Sequence, residues 1–346
     1  MKKLHYSFGL ALLLAVAALI LWEIHWRNKG YEPDFNDNKH LWAYTRAQLD
    51  ELGEDDWVLL GSSRVLFDVQ LDVWEDISGK RPLQLAGAGQ PPLVYLRDIV
   101  ENTDYDGNLL VGVTSGLFYM PDTTMNWDWA RSWQDHYYKR TYADKFNFWL
   151  SGFIQPHLAF LHVYEDHYNS LSLEKLIGRI DLTNRDSVPP PYIFPFFSTI
   201  DKYRNTQMLE RLETDTVYAN AVARAWGVER FRARLDSNAL AGIKMGVPMA
   251  QQGISQMIQP FLDRGGKIVF LRCPSSGSLR ELEDYAFPRE LAWDPLLEAT
   301  GCAGYHFEDF PEVRDMICPE LSHLSRPDAV IFTRVIVDQL KADGHL

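Results

Sequence analysis

The sequence predicts an α/β fold, a three-layer α/β/α sandwich on a parallel sheet of about five strands. Two observations predict it. Short apolar runs bounded by turn residues recur along the chain: Trp57-Val58-Leu59-Leu60, Leu83-Gln84-Leu85-Ala86, Asn108 to Thr114, Lys267 to Arg272 and Gly304 to Phe307. Helical spacing separates them, over Val65–Ile77, Pro92–Asn102, Gly246–Arg264 and Pro327–Ala342. Strands that alternate with helices pair in parallel and carry helices on both faces.

Residues 1–29 read as an N-terminal membrane anchor. The run Phe8 to Trp22 carries no charge, and with Tyr6 and Ile24 at its edges it approaches the ~20 apolar residues that span a bilayer core. Trp22 and Trp26 stand where an interfacial aromatic belt forms. A cleaved signal peptide is the competing reading. It needs small residues at a polar boundary after the run, whereas Ala15-Val16-Ala17 lies inside it and Trp22-Glu23-Ile24-His25-Trp26 follows. Lys2 and Lys3 favour a cytoplasmic N-terminus, a bias that Arg27 and Lys29 blunt. The expectation is a single-pass protein whose remaining residues are extracytoplasmic, in the periplasm.

Residues 30–55 read as a polar stalk with a lead-in helix around Leu41–Leu52, and residues 56–342 as the α/β domain. The rhythm breaks from about residue 117 to 245, a stretch rich in aromatic residues, with helical patterns near 140–180 and 202–240 around the turn Pro189-Pro190-Pro191. Because the strand–helix rhythm then resumes, this is read as a helical insertion serving as core, as a lid or as a contact to a membrane partner. A net charge of −13 gives no reason to expect nucleic acid or an anionic lipid surface as a partner. Three cysteines, Cys273, Cys302 and Cys318, allow either one disulfide, best drawn as Cys302–Cys318, or three buried thiols.

Open parallel sheets place their sites beyond the carboxyl ends of the strands. Those ends carry Gly61-Ser62-Ser63-Arg64, Gly87-Ala88-Gly89, Thr114-Ser115-Gly116 and Arg272-Cys273-Pro274-Ser275, and Glu320-Leu321-Ser322-His323 precedes the last helix. A serine at a strand-to-helix turn, a histidine able to take its proton and a carboxylate to orient the ring make a nucleophilic triad. Each residue also has a plainer role. Ser63 suits a helix N-cap, Gly89 a turn with positive φ, Glu320 a cap, and Arg64 a salt bridge. His162-Val163-Tyr164-Glu165-Asp166-His167 invites a metal reading but misses the known spacing by one residue, so a solvated helix face is expected. His306 and Asp309 fall near the fifth strand end and are read as loop structure.

In order and context these motifs resemble the SGNH hydrolase superfamily, which has an SGNH/flavodoxin-like sheet and includes esterases and envelope glycan O-acyltransferases. Gly61-Ser62-Ser63 matches the first block, Gly-Asp-Ser, and the resemblance makes Ser63 the nucleophile. Gly89 in Gln84-Leu85-Ala86-Gly87-Ala88-Gly89 matches the glycine whose N–H binds the oxyanion. Glu320-x-x-His323-Leu324 matches the last block with Glu for Asp. Gly112-Val113-Thr114-Ser115 departs from the third, Gly-x-Asn-Asp, putting Thr114 where an asparagine would donate to the oxyanion; losing such a donor costs about 10²–10³ in rate. The resemblance implies a catalytic set of Ser63, His323 and Glu320, with Gly89, Thr114 and Arg64 around the bound substrate and no metal or organic cofactor. It implies an acyl donor and a glycan or small ester as substrates. The other expectation it supports is a degenerate binding or assembly partner of a membrane-bound acyltransferase.

Overall fold

The computed structural model describes residues 2–161 and 196–346. Its strands are β1 (Trp57–Leu60), β2 (Leu83–Gln84), β3 (Asn108–Gly112), β4 (Ser198–Ile200), β5 (Thr206–Met208), β6 (Lys267–Arg272) and β7 (Ala303–His306). Five of them form one parallel sheet in the order β2-β1-β3-β6-β7, while β4 and β5 pair as a separate antiparallel hairpin. Numbered within the sheet this is the order 2-1-3-4-5 of flavodoxin-like doubly wound folds, with the topological switch between β1 and β3.

The apolar runs are continuous because both sheet faces are covered. Val58, Leu60, Leu109, Val111, Ile268 and Phe270 enter one core with α5 (Leu93–Asn102) and the long helix Ser237–Asp263. Trp57, Leu59, Leu110, Val269 and Leu271 enter the other with α3 (Ser63–Asp68), α4 (Leu71–Ser78) and the closing helix Arg326–Ala342. Two glycines let α3 lie close against the sheet. A Cβ on Gly61 would stand 2.3 Å from Val65 Cγ2, and one on Gly112 would stand 2.2 Å from the same methyl.

Several elements differ from their sequence expectation. The helix expected over Val65–Ile77 is broken into α3 and α4, because tertiary bonds replace helical ones at the break. Gln70 N donates to Thr333 Oγ1 at 2.8 Å, and the Gln70 side-chain amide donates to Phe67 O and Thr206 O. The lead-in helix is α2 (Lys39–Arg46), continued by a 3-10 turn over Ala47–Glu51. The long helix starts at Ser237 rather than Gly246 and runs through Pro248, so the boundary expected near residue 245 lies inside one continuous element. The β4–β5 hairpin was not anticipated in the insertion. Its strands are three residues each, too short for a period to show.

At the N-terminus, α1 (Lys2–Arg27) contains a 23-residue span, His5–Arg27, whose most apolar 18 residues have mean hydropathy 2.2 and are unburied, long and apolar enough to cross a membrane. Its last turn is fastened to the domain. Glu23 accepts from Ala159 N at 2.9 Å and Phe160 N at 3.1 Å, and Arg27 donates to His157 O at 3.0 Å. The polar segment that follows lies against the domain as well. Phe35 N donates to Ile200 O, Asp37 takes both Arg204 donors at 2.8 and 2.9 Å, and Asn38 caps α2.

No disulfide joins Cys302 to Cys318; all three cysteines are free thiols, Cys273 and Cys318 buried and Cys302 half-buried. Topology explains it. Cys302 precedes β7 at the amino edge of the sheet, whereas Cys318 N bonds Ser276 Oγ in the loops beyond the carboxyl edge.

Candidate active site

The carboxyl edge of the sheet opens into a cavity of about 970 Å³. Ser63, Gly89 and Thr114 all line it, from the ends of β1, β2 and β3. Ser63 opens α3 and is half-buried; Ser62 and Thr114 share a hydroxyl–hydroxyl hydrogen bond of 2.7 Å across the switch point. Gly89 turns at φ +68°, a conformation glycine adopts without strain, and its carbonyl accepts from Asn126 on the insertion at 2.6 Å. Among the other lining residues are several aromatic rings, Phe67 from α3 and Trp129, Trp133, Phe197, Trp226 and Phe231 from the insertion.

Glu320 and His323 form a fully buried unit beside this wall. Glu320 Oε1 accepts the ring Nδ1–H of His323 at 2.9 Å, the backbone N–H of His323 at 2.6 Å and that of Ser322 at 3.3 Å. Its Oε2 accepts from Trp226 Nε1. Opposite a carboxylate, which accepts only, a neutral imidazole carries its proton on Nδ1 and its lone pair on Nε2. The backbone geometry is unusual: Leu321, between the carboxylate and the histidine, has φ +80°, which a leucine adopts only when surroundings hold it there.

Nε2 of His323 is buried and has no hydrogen-bond partner among the described residues. The structure thus joins His323 to Glu320 but not to Ser63. Phe67 stacks on the imidazole at 4.3 Å, Trp226 lies at 5.5 Å and Phe197 at 6.0 Å, and these three rings also line the cavity. His323 lies behind rings that face the cavity, while Ser63 faces the cavity directly.

Asp68 closes α3 and reaches the same loop. Its Oδ1 accepts from Leu324 N at 2.9 Å, and the buried carboxyl also faces the Cys273 thiol. Burial pushes this carboxyl well above the usual range, against the opposing pull of the Leu324 amide and Arg64.

Arg64, placed by the sequence among the substrate-binding groups, lines the cavity too, in company with a buried carboxylate, Glu283. Its guanidinium makes a two-pronged pair with Glu283 at 2.6 and 3.1 Å, and Glu283 also accepts from Arg272 at 2.7 Å and Ser275 at 2.8 Å. Burial raises the Glu283 carboxyl, but the two guanidiniums outweigh it and hold the pKa down at about 2. Arg64 therefore ties α3 to the helix Gly277–Ala286 as a salt bridge. His306 and Asp309 stay outside the cavity. Burial and the neighbouring Arg272 hold the His306 ring neutral, with a pKa near about 3, and Asp309 pairs with Arg289 at 2.7 Å. The segment His162–His167 lies outside the described residues.

Sequence reasoning missed Asp68, Asn126, Phe197 and Trp226. The last three belong to the insertion, where aromatic abundance was visible but no periodicity marked which rings face the site. No protein-family model matches this chain, and no curated protein matches it either.

Proposed function

We propose that the chain is a serine acyl-ester hydrolase or O-acyltransferase acting on a cell-envelope glycan, with the domain on the extracytoplasmic, periplasmic side. The Glu320–His323 unit carries the reading: an imidazole held in one tautomer, its Nε2 at the same sheet edge as Ser63. In this mechanism Ser63 Oγ attacks the acyl carbonyl while His323 Nε2 takes the hydroxyl proton. The Ser63 and Gly89 amides receive the oxyanion. The ester C–O bond breaks, the leaving alkoxide takes the proton from Nε2, and an acyl-Ser63 remains. Water or a glycan hydroxyl, deprotonated by Nε2, then attacks the acyl carbon; the bond to Ser63 Oγ breaks, and Nε2 returns the proton to the departing Oγ. Catalytic hydrogen bonds often tighten only when substrate is bound, which is what this mechanism asks of Ser63 and His323.

A degenerate binding or assembly role, beside a membrane-bound acyltransferase, is favoured by one observation: among the described residues Nε2 is unpartnered, behind aromatic rings. Labelling of the full chain by a serine-directed fluorophosphonate separates the two. Labelling that disappears in both Ser63→Ala and His323→Ala supports the enzyme. A folded protein that takes no label sinks it in favour of the binding role.

A further inference from the structure

The helix α8 (Tyr142–Gly152) has no buried residue. Tyr142, Phe146, Trp149, Leu150 and Phe153 are 90%, 62%, 56%, 46% and 59% exposed. Their spacing, i, i+4, i+7, i+8 and i+11, puts them in one stripe along the helix and its C-cap. The stripe is continuous, because Phe146 meets Trp149 at 5.6 Å and Trp149 meets Phe153 at 4.8 Å. The helix is held in place from another side, where Phe148 packs on Tyr44 of α2 at 5.0 Å. Folded domains rarely leave so contiguous an apolar surface without an occupant.

The chain after α8 leads directly to the anchor. Among the described residues, the turn Gln155–His157 and the segment to Phe160 supply the groups outside α1 that Glu23 and Arg27 bind. Six Cα–Cα steps run from Phe153 to Ala159, so the C-terminal end of the stripe lies within about 20–22 Å of the point where α1 is held. An apolar helix face at the level where a bilayer begins buries about 5–10 Å into the headgroup and acyl boundary. The net charge of −13 makes insertion of aromatic rings, rather than attraction to anionic lipid, the driving term.

We propose that the aromatic stripe of α8 is a second membrane contact, lying in the lipid interface beside the point where α1 enters the bilayer. The proposal rests on α1 being membrane-inserted, and its test reads the two separately. The full chain, with the half-buried Cys302 replaced (Cys302→Ser), is reconstituted in phosphatidylcholine vesicles. An environment-sensitive fluorophore is placed in turn by Phe146→Cys, Phe153→Cys, Leu12→Cys and Tyr285→Cys. Lipids carrying a shallow spin label remove about half the emission at positions 146 and 153, a deep spin label acts on position 12, and position 285 is unaffected. Quenching at position 12 without quenching at 146 and 153 overturns the stripe and leaves the anchor standing. Loss at all three overturns both, and equal quenching at 285 overturns the specificity of the contact. As a second measure, Phe146→Ser with Phe153→Ser raises the amide exchange rate of α8 in vesicles several-fold if lipid covers it; unchanged exchange overturns the proposal.

Discussion

Asp68 accepts a hydrogen bond from the backbone N–H of Leu324 at 2.9 Å, and so fastens the end of the Ser63 helix to the loop that carries His323. Because burial holds this carboxyl above the usual range, it is protonated well beyond the pH at which an unfolded aspartate ionises. Stability from this group is full below about pH 4 and falls as pH rises toward the folded pKa. Asp68→Asn, which keeps the acceptor and cannot ionise, is expected to match or exceed the native protein at pH 7. Asp68→Ala leaves Leu324 N–H unpaired and costs about 1–3 kcal/mol. Urea titrations at pH 4 and 7 test this; an Asn variant much weaker than native at pH 7 would mean that Asp68 works as an anion.

Glu320 offers acceptors to four donors, and an amide cannot serve them all. Glu320→Gln is expected to lower fluorophosphonate labelling of Ser63 by about 10³–10⁴-fold, because the imidazole loses the partner that fixes its tautomer. The same variant should be less stable by about 2–4 kcal/mol. Labelling at the native rate would remove Glu320 from the mechanism.

Glu283 is held at about 2 against an ordinary 4.5, so its stabilisation is present above about pH 4.5 and lost as pH falls through about 2. Glu283→Gln strands two buried guanidiniums and is expected to cost about 3–5 kcal/mol at pH 7. The gap between variant and native should narrow between pH 4.5 and 2, read from denaturation midpoints across that range. A constant gap would show that Glu283 contributes by packing alone.

Gly61 and Gly112 both crowd one methyl of Val65. Gly61→Ala is therefore expected to destabilise by about 1–3 kcal/mol or more, and Val65→Ala in the same chain should recover part of the loss. Strictly additive melting data for the pair would exclude the shared contact.

The sheet was legible because its strands are buried on both faces and so read as uninterrupted apolar runs, from Trp57–Leu60 to Lys267–Arg272. The α3–α4 break was not legible, since it depends on Thr333, far along the chain, capturing the Gln70 amide. Within the site, Glu320 and His323 could be paired because only two residues lie between them and a turn brings them together. Asp68 and Trp226 were out of reach of such reasoning: their link to that turn is made by tertiary packing over long sequence separations. The role assigned to Arg64 depended on Glu283, whose position in a helix the sequence reading had not predicted.

Residues 34–37 are at once part of the connection to α1 and part of the cavity wall. A free linker of the length of residues 30–55 would let a domain wander roughly 25–30 Å from its tether. Here Asp37 is clamped by Arg204 and Phe35 by Ile200, so that slack is absent. Once α1 sits in a bilayer, the cavity is held at a fixed altitude. Its encounters with lipid-borne molecules then become a search in two dimensions, and molecules in bulk solution must find a mouth that does not roam to meet them.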